Sequence, residues 1–158
     1  MTAHRKICVL VLAFSFLSLR AAWSAETGLI TKASKHSVGE TVERFENAIK
    51  SKGWIVFTEI DHAAAAKKVG LDMKPRTVIL FGNPKIGTAP MQKAGTLAID
   101  NPPKALVWED NEGKVWLTYN SGEYIATHIY SRHGLAMPPE AAKGVEQFLS
   151  EVSDLATK

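Results

Sequence analysis

The sequence predicts a single α+β domain, an antiparallel sheet of four to five strands with helices packed on one face. Three observations predict it. The elements run strand, long helix, strand, short helix, strand, hairpin, helices, without the regular alternation of a parallel sheet. Two amphipathic helical stripes lie near the two ends of the domain. Between them sits a clear hairpin, Ala105 to Glu109 and Val115 to Tyr119. Its turn, Asp110-Asn111-Glu112-Gly113, ends in a glycine able to take the positive φ of a tight turn.

Leu29 to Ala33 opens the domain as a short strand. Ser37 and Glu40 then form a capping box. The helix behind it carries Val38, Val42, Phe45, Ala48 and Ile49 on one face, and Gly53 closes it. Trp54 to Ile60 is rich in β-branched and aromatic residues and reads as a strand. Asp61 caps a short helix from His62 to Val69, with Gly70 as its stop. Thr77 to Phe81 is a buried strand, broken by the turn chemistry of Gly82-Asn83-Pro84. Thr88 to Lys93 reads as a helical turn and Thr96 to Ile99 as a brief extended piece. After the hairpin come a helix from Glu123 to Ile129 and a last helix from Pro138-Pro139 to about Ala156. The last helix has the stripe Ala142, Val145, Phe148, Leu149, Val152 and Leu155.

Ahead of the domain, residues 1–24 have the three zones of a secretory signal peptide. His4, Arg5 and Lys6 supply charge, Ile7 to Leu19 an apolar run, and Arg20 to Ala25 a small-residue zone. The run is shorter than the roughly 20 residues a bilayer span needs. Cleavage after Ser24 puts small residues, Ala22 and Ser24, at the two flanking positions. The expectation is a periplasmic or secreted domain of residues 25–158, with no membrane span once the signal is removed. Three of the 19 Lys and Arg leave with the signal, which leaves as many basic residues as the 16 Asp and Glu. The basic pI of the whole chain is therefore a targeting property, and no nucleic-acid footprint is expected. The only cysteine, Cys8, lies in the signal, so thiol redox chemistry and cysteine-held metals are excluded for the mature domain.

Four segments then carry a resemblance. They are Thr41-Val42-Glu43-Arg44-Phe45, Asp61-His62-Ala63-Ala64-Ala65-Ala66, Phe81-Gly82-Asn83-Pro84-Lys85, and Val107-Trp108-Glu109-Asp110. Tyr124 to Leu135 fits a closing pattern less tightly. Over about residues 27–135 the chain resembles the family known as domain of unknown function 302. The resemblance implies a compact α+β domain. It implies no reaction and no catalytic residues, and the helix after Met137 lies outside it.

The residues themselves offer two candidate ligand sites. Asp61 with His62 places an imidazole beside a carboxylate at a helix start, a pair suited to acid–base work or to capping. Gly82, Asn83 and Lys85 could present backbone N–H groups and a cation to a ligand, or form a tight turn. His128, His133 and Met137 are the alternative, a copper-type set, although their spacing does not suit one helical face. No cofactor is expected. Trp108 and Trp116 are read as core or interface residues stacked across the hairpin. Three functional classes follow. They are an exported binding or accessory module for a small ligand or protein partner, a small enzyme built on Asp61-His62, and a metal-handling protein. A homodimer is compatible with each.

Overall fold

The computed structural model describes residues 27–158. The signal-peptide reading falls on residues outside these. The five strands are β1 (Leu29–Ala33), β2 (Ile55–Asp61), β3 (Arg76–Gly82), β4 (Lys104–Glu109) and β5 (Val115–Asn120). They form one sheet in the order β1-β5-β4-β3-β2, every neighbour antiparallel. The helices are α1 (Val38–Ser51), α2 (His62–Lys68), α3 (Pro84–Lys93), α4 (Gly122–Tyr124) and α5 (Pro139–Thr157). A 3-10 turn spans Gly95–Ile99, and α4 runs directly into a π-helical segment, Ile125–Tyr130. The α+β architecture is the one the sequence predicts.

The order of strands follows from α1. β1 and β2 are consecutive in the chain but sit on opposite edges of the sheet. A helix of 14 residues is about 21 Å long. Four gaps of about 4.8 Å separate the outer strands of such a sheet. α1 is therefore long enough to carry the chain across one face from edge to edge. Ser37 starts it by accepting a hydrogen bond from the Glu40 backbone N–H at 3.2 Å. α5 lies beside α1 on the same face.

The core fills the space between these two helices and the sheet. Phe45 and Ile49 of α1 meet Ile79 and Phe81 of β3, Val107 of β4, Leu117 of β5, and Leu149 and Val152 of α5. Phe45 meets Phe81 edge to face at 5.3 Å, a favoured aromatic geometry. The buried stripe of α5 differs from the one read in the sequence. Leu155 is half exposed, while Val152, Ser153, Ala156 and Thr157 turn inward. Ser153 and Thr157 are tolerated there because their hydroxyls donate to carbonyls within the helix, those of Ser150 and Ser153. Gly122 allows α5 to approach α4, since a Cβ there would stand 2.3 Å from the Ala142 carbonyl oxygen.

Other local readings change as well. Thr96 to Ile99 winds as a 3-10 turn and is not extended. α3 begins at Pro84, because Asn83 acts as a helix cap beyond its role in the turn. Glu123 to Ile129 is helical but mostly in the wider π form.

Among the described residues, the other face of the sheet has no helical layer. Strand register places three rows of side chains on it. Arg76, Trp108, Trp116 and Ala33 form one row, and Ile60, Val78, Leu106, Thr118 and Thr31 the next. Thr58, Leu80 and Lys104 lie in the third. Trp108 and Trp116 do stack across the hairpin, at 6.4 Å, but on this open face and not in the core.

Candidate functional site

The end of β3 is where the fold opens. Gly82 lies against Phe57 and Pro102, and a Cβ there would stand 3.1 Å from the Phe57 ring. The close approach explains the glycine. Asn83 follows, and its Oδ1 accepts the Lys85 backbone N–H at 3.0 Å while Pro84 takes the first turn of α3. The chain then leaves the sheet through α3 and the 3-10 turn and returns to β4 past a cis Asn101–Pro102 bond. The π segment and α5 stand opposite.

Between these walls lies a cleft of about 360 Å³. Its lining is mostly apolar, with Trp54, Ile86, Met91, Ile125, Ile129 and Phe148 among the wall residues. Trp54 stacks on Phe148 at 4.0 Å, which stiffens one wall. Asn83, Asp100, Asn101 and Tyr130 provide a few polar groups. Burial raises the Tyr130 phenol above its ordinary value, so it faces neutral solutions as an uncharged hydroxyl. A concave apolar space with a few convergent polar groups is the usual form of a small-molecule site.

The two walls are tied together by a cluster around the buried His133 side chain. His133 directs Nε2 to Asp100 Oδ2 at 2.6 Å and Nδ1 to Thr96 Oγ1 at 2.9 Å. Arg132 Nε reaches the same carboxylate oxygen at 3.0 Å. The His133 side chain is only 6% exposed. Thr96 and Asp100 belong to the segment after α3, whereas Arg132 and His133 follow the π segment. Sequence reading singled out His133 but neither of its partners, which lie 33 and 37 residues away in the chain.

The structure separates the two candidate pairs. Gly82 and Asn83 line the cleft. Lys85 is exposed, and its backbone N–H is taken by Asn83. Asp61 and His62 lie at the far end of the same strands. Asp61 pairs with Thr77, whereas Gly82 pairs with Ile55. Five residues of β3 separate these pairings, about 17 Å of strand. Asp61 Oδ1 accepts the Ala64 backbone N–H at 2.9 Å and so caps α2. His62 is exposed. Of the copper-type set, His133 has both ring nitrogens engaged. His128 stacks on Tyr124 at 4.7 Å and meets Thr127 Oγ1 through Nδ1. His128 and Met137 line a second, shallower cleft shared with the charged Glu123, Lys143 and Glu146, and His133 does not. Among the described residues no three His, Cys, Asp or Glu side chains stand together as a metal site.

Comparison with known proteins fits this architecture. The family described as Domain of unknown function DUF302 matches residues 30–156. The match runs through α5, so the last helix is part of the family pattern and does not follow it as an addition. A Brucella suis biovar 1 (strain 1330) protein named fluoride-specific ion channel FluC 1 is 46% identical over 117 residues, which are 74% of this chain and 44% of that protein. The Brucella melitensis biotype 1 protein named fluoride-specific ion channel FluC 2 shows the same identity over 42% of its length. This chain thus spans less than half of the curated relatives it matches. Among the described residues no helix is long and apolar enough to cross a membrane. A crystal structure of an uncharacterized conserved DUF302 protein from Bacillus stearothermophilus shares the fold, with a TM-score of 0.67 and 19% identity over 82% of this chain and 98% of that one. With its pattern matched across most of the chain, this protein belongs to the DUF302 family.

Proposed function

We propose that this chain is an exported binding or accessory module that holds a small amphipathic molecule in the cleft beside Asn83. The observation that carries this reading is the cleft itself, with apolar walls, a few amide and hydroxyl groups, and the His133–Asp100 pair linking the walls. An enzyme built on Asp61-His62 is less well supported, because that pair lies about 17 Å of strand from the cleft. Export rests on residues 1–24. A periplasmic fraction containing mature protein that begins at Ala25 supports it, and full-length protein in the cytoplasm overturns it.

The relatives named as fluoride channels extend well beyond the matched region. That supports a role alongside a membrane transport protein. It does not make fluoride the ligand of this cleft. A small, strongly hydrated anion needs several cations or N–H donors to replace its water, and these walls are mainly hydrocarbon with one lysine, Lys104, at the border. An amphiphile with an apolar body and a polar end fits better.

Titration with the fluorescent amphiphile anilinonaphthalene sulfonate tests the reading. Saturable binding is expected, and Ile129→Glu, which places a like charge against the sulfonate in an apolar wall, is expected to weaken it by about tenfold or more. Absence of binding, or binding indifferent to Ile129→Glu, overturns the cleft as the site.

A further inference from the structure

A second surface adjoins the cleft at Lys104 and otherwise lies apart from it. One face of the sheet is covered by α1 and α5, and among the described residues the other has no helical layer. Antiparallel sheets tolerate one solvated face, but that face is then usually polar. Here its centre is Ile60, Val78, Leu80, Leu106, Trp108 and Trp116. Ile60 remains 43% exposed. Apolar area of this kind on a folded surface marks a place of contact.

Its charge is one-sided. Strand alternation puts Arg76 and Lys104 on this face, and Lys114 Nζ lies over the Trp116 ring at 4.2 Å. No Asp or Glu occupies a position on this face in any of the five strands. The nearest carboxylate, Asp110, is at the hairpin turn. It is already engaged by Trp116 Nε1 at 2.7 Å and by the backbone N–H groups of Glu112 and Lys114. The other indole N–H, on Trp108, donates to Thr118 Oγ1 at 3.0 Å.

We propose that this face docks onto an anionic lipid surface. Two observations select that occupant. The three cations stand apart, beside Trp108, beside Leu80 and over Trp116, which suits a diffuse negative plane. The indole N–H groups are internally satisfied, so they can enter a headgroup region without losing partners. A second copy of this chain would bring like charges together. A sugar would look for the carboxylates that the face lacks. The sheet rests on the surface and does not cross it.

The test is co-sedimentation of the mature protein with vesicles of phosphatidylcholine alone or enriched in phosphatidylglycerol. Binding only to the anionic vesicles, reduced by salt, is expected. Each Lys or Arg near such a surface strengthens association roughly fivefold, so the triple variant R76Q/K104Q/K114Q is expected to lose about a hundredfold. Circular dichroism confirms that the variant is folded. Brominated anionic lipids are expected to quench a larger fraction of the tryptophan fluorescence in W54F than in wild type, because Trp54 packs against the core in the cleft wall and adds an unquenched background. No binding at low salt overturns the proposal. So does binding that survives the triple substitution, or self-association through this face in sedimentation equilibrium. Lys104 also borders the cleft, so the double variant R76Q/K114Q, expected to lose about twenty-five-fold in vesicle binding, is the one carried into the cleft titration. It is expected to bind the cleft probe normally, and the two readings fail separately.

Discussion

The two ends of the β2–β3 pair use the same local device with different results. Asp61 caps α2 through the Ala64 N–H, and Asn83 caps α3 through the Lys85 N–H. Neither helix buries a residue completely. Yet α2 stands in solvent, while Ile86 and Met91 of α3 form part of a cleft wall. The opposite wall comes from Ile125, Ile129 and Phe148, far along the chain. A cap starts a helix, but only distant segments folded against it make a site.

The strongest way to break this contrast is at the core end. Phe81 is fully buried, touches Phe45, and also lines the cleft. Phe81→Ala is expected to cost about 3–5 kcal/mol in urea denaturation and to abolish amphiphile binding. His62→Ala, at the exposed end, is expected to stay within about 0.5 kcal/mol and to bind normally. Comparable losses from both would erase the distinction.

A finer test removes the two caps. Asp61→Ala and Asn83→Ala are each expected to cost about 1 kcal/mol, because each leaves a helical N–H without its acceptor. Only Asn83→Ala is expected to weaken binding as well. Equal binding by the two variants would mean that Asn83 serves α3 alone.

The smallest effect concerns Glu59, close to the Asp61 end. A hydrogen bond with Glu46, and then burial, raise the Glu59 carboxyl above its ordinary value. Burial also pushes Glu46 up, but hydrogen bonds from Glu59 and Lys50 outweigh it and hold Glu46 lower. The raised group binds its proton more tightly in the folded chain. Its contribution is therefore complete at acidic pH, below the unfolded value, and is lost as pH rises through the folded value. Glu59→Gln keeps a donor for Glu46 without the titration. Its stability relative to wild type is expected to rise between about pH 4 and 7, by less than about 1 kcal/mol because Glu59 is largely solvated. A pH-independent difference would show that the two carboxyls do not share a proton.

Much of the fold could be read from short-range pattern. Ser37 and Glu40 marked α1, Gly113 marked the hairpin, and the apolar run through Phe81 marked a central strand. These signals are local, and residues within one turn or one hairpin set them. The site was legible only in part. Gly82 and Asn83 stood out through their turn chemistry, but Asp61 and His62 looked equally promising because both segments carry cap-type residues. What separates them is convergence across 40 or more residues, Asn83 and Ile125 lining one cleft for example, which no local spacing records. The clamp around His133 is hidden for the same reason. Trp108 and Trp116 read as core or interface, and only their absence from the core decided between the two, because large apolar residues usually turn inward and alternation alone does not say which face of a hairpin is covered.

The π-helical stretch between Ile125 and Tyr130 has an evolutionary consequence. A π turn is an α-helix that has accepted an extra residue without unravelling. Losing one residue from this stretch would restore the ordinary winding while the flanking segments stay near their places, because the wide turn absorbs the extra residue locally. The residues within the turn, Ile125 to Tyr130, would then change which of them faces the cleft. Single-residue insertions and deletions here are thus a simple route by which the family can change what lines the cleft, while the sheet and its two long helices stay as they are.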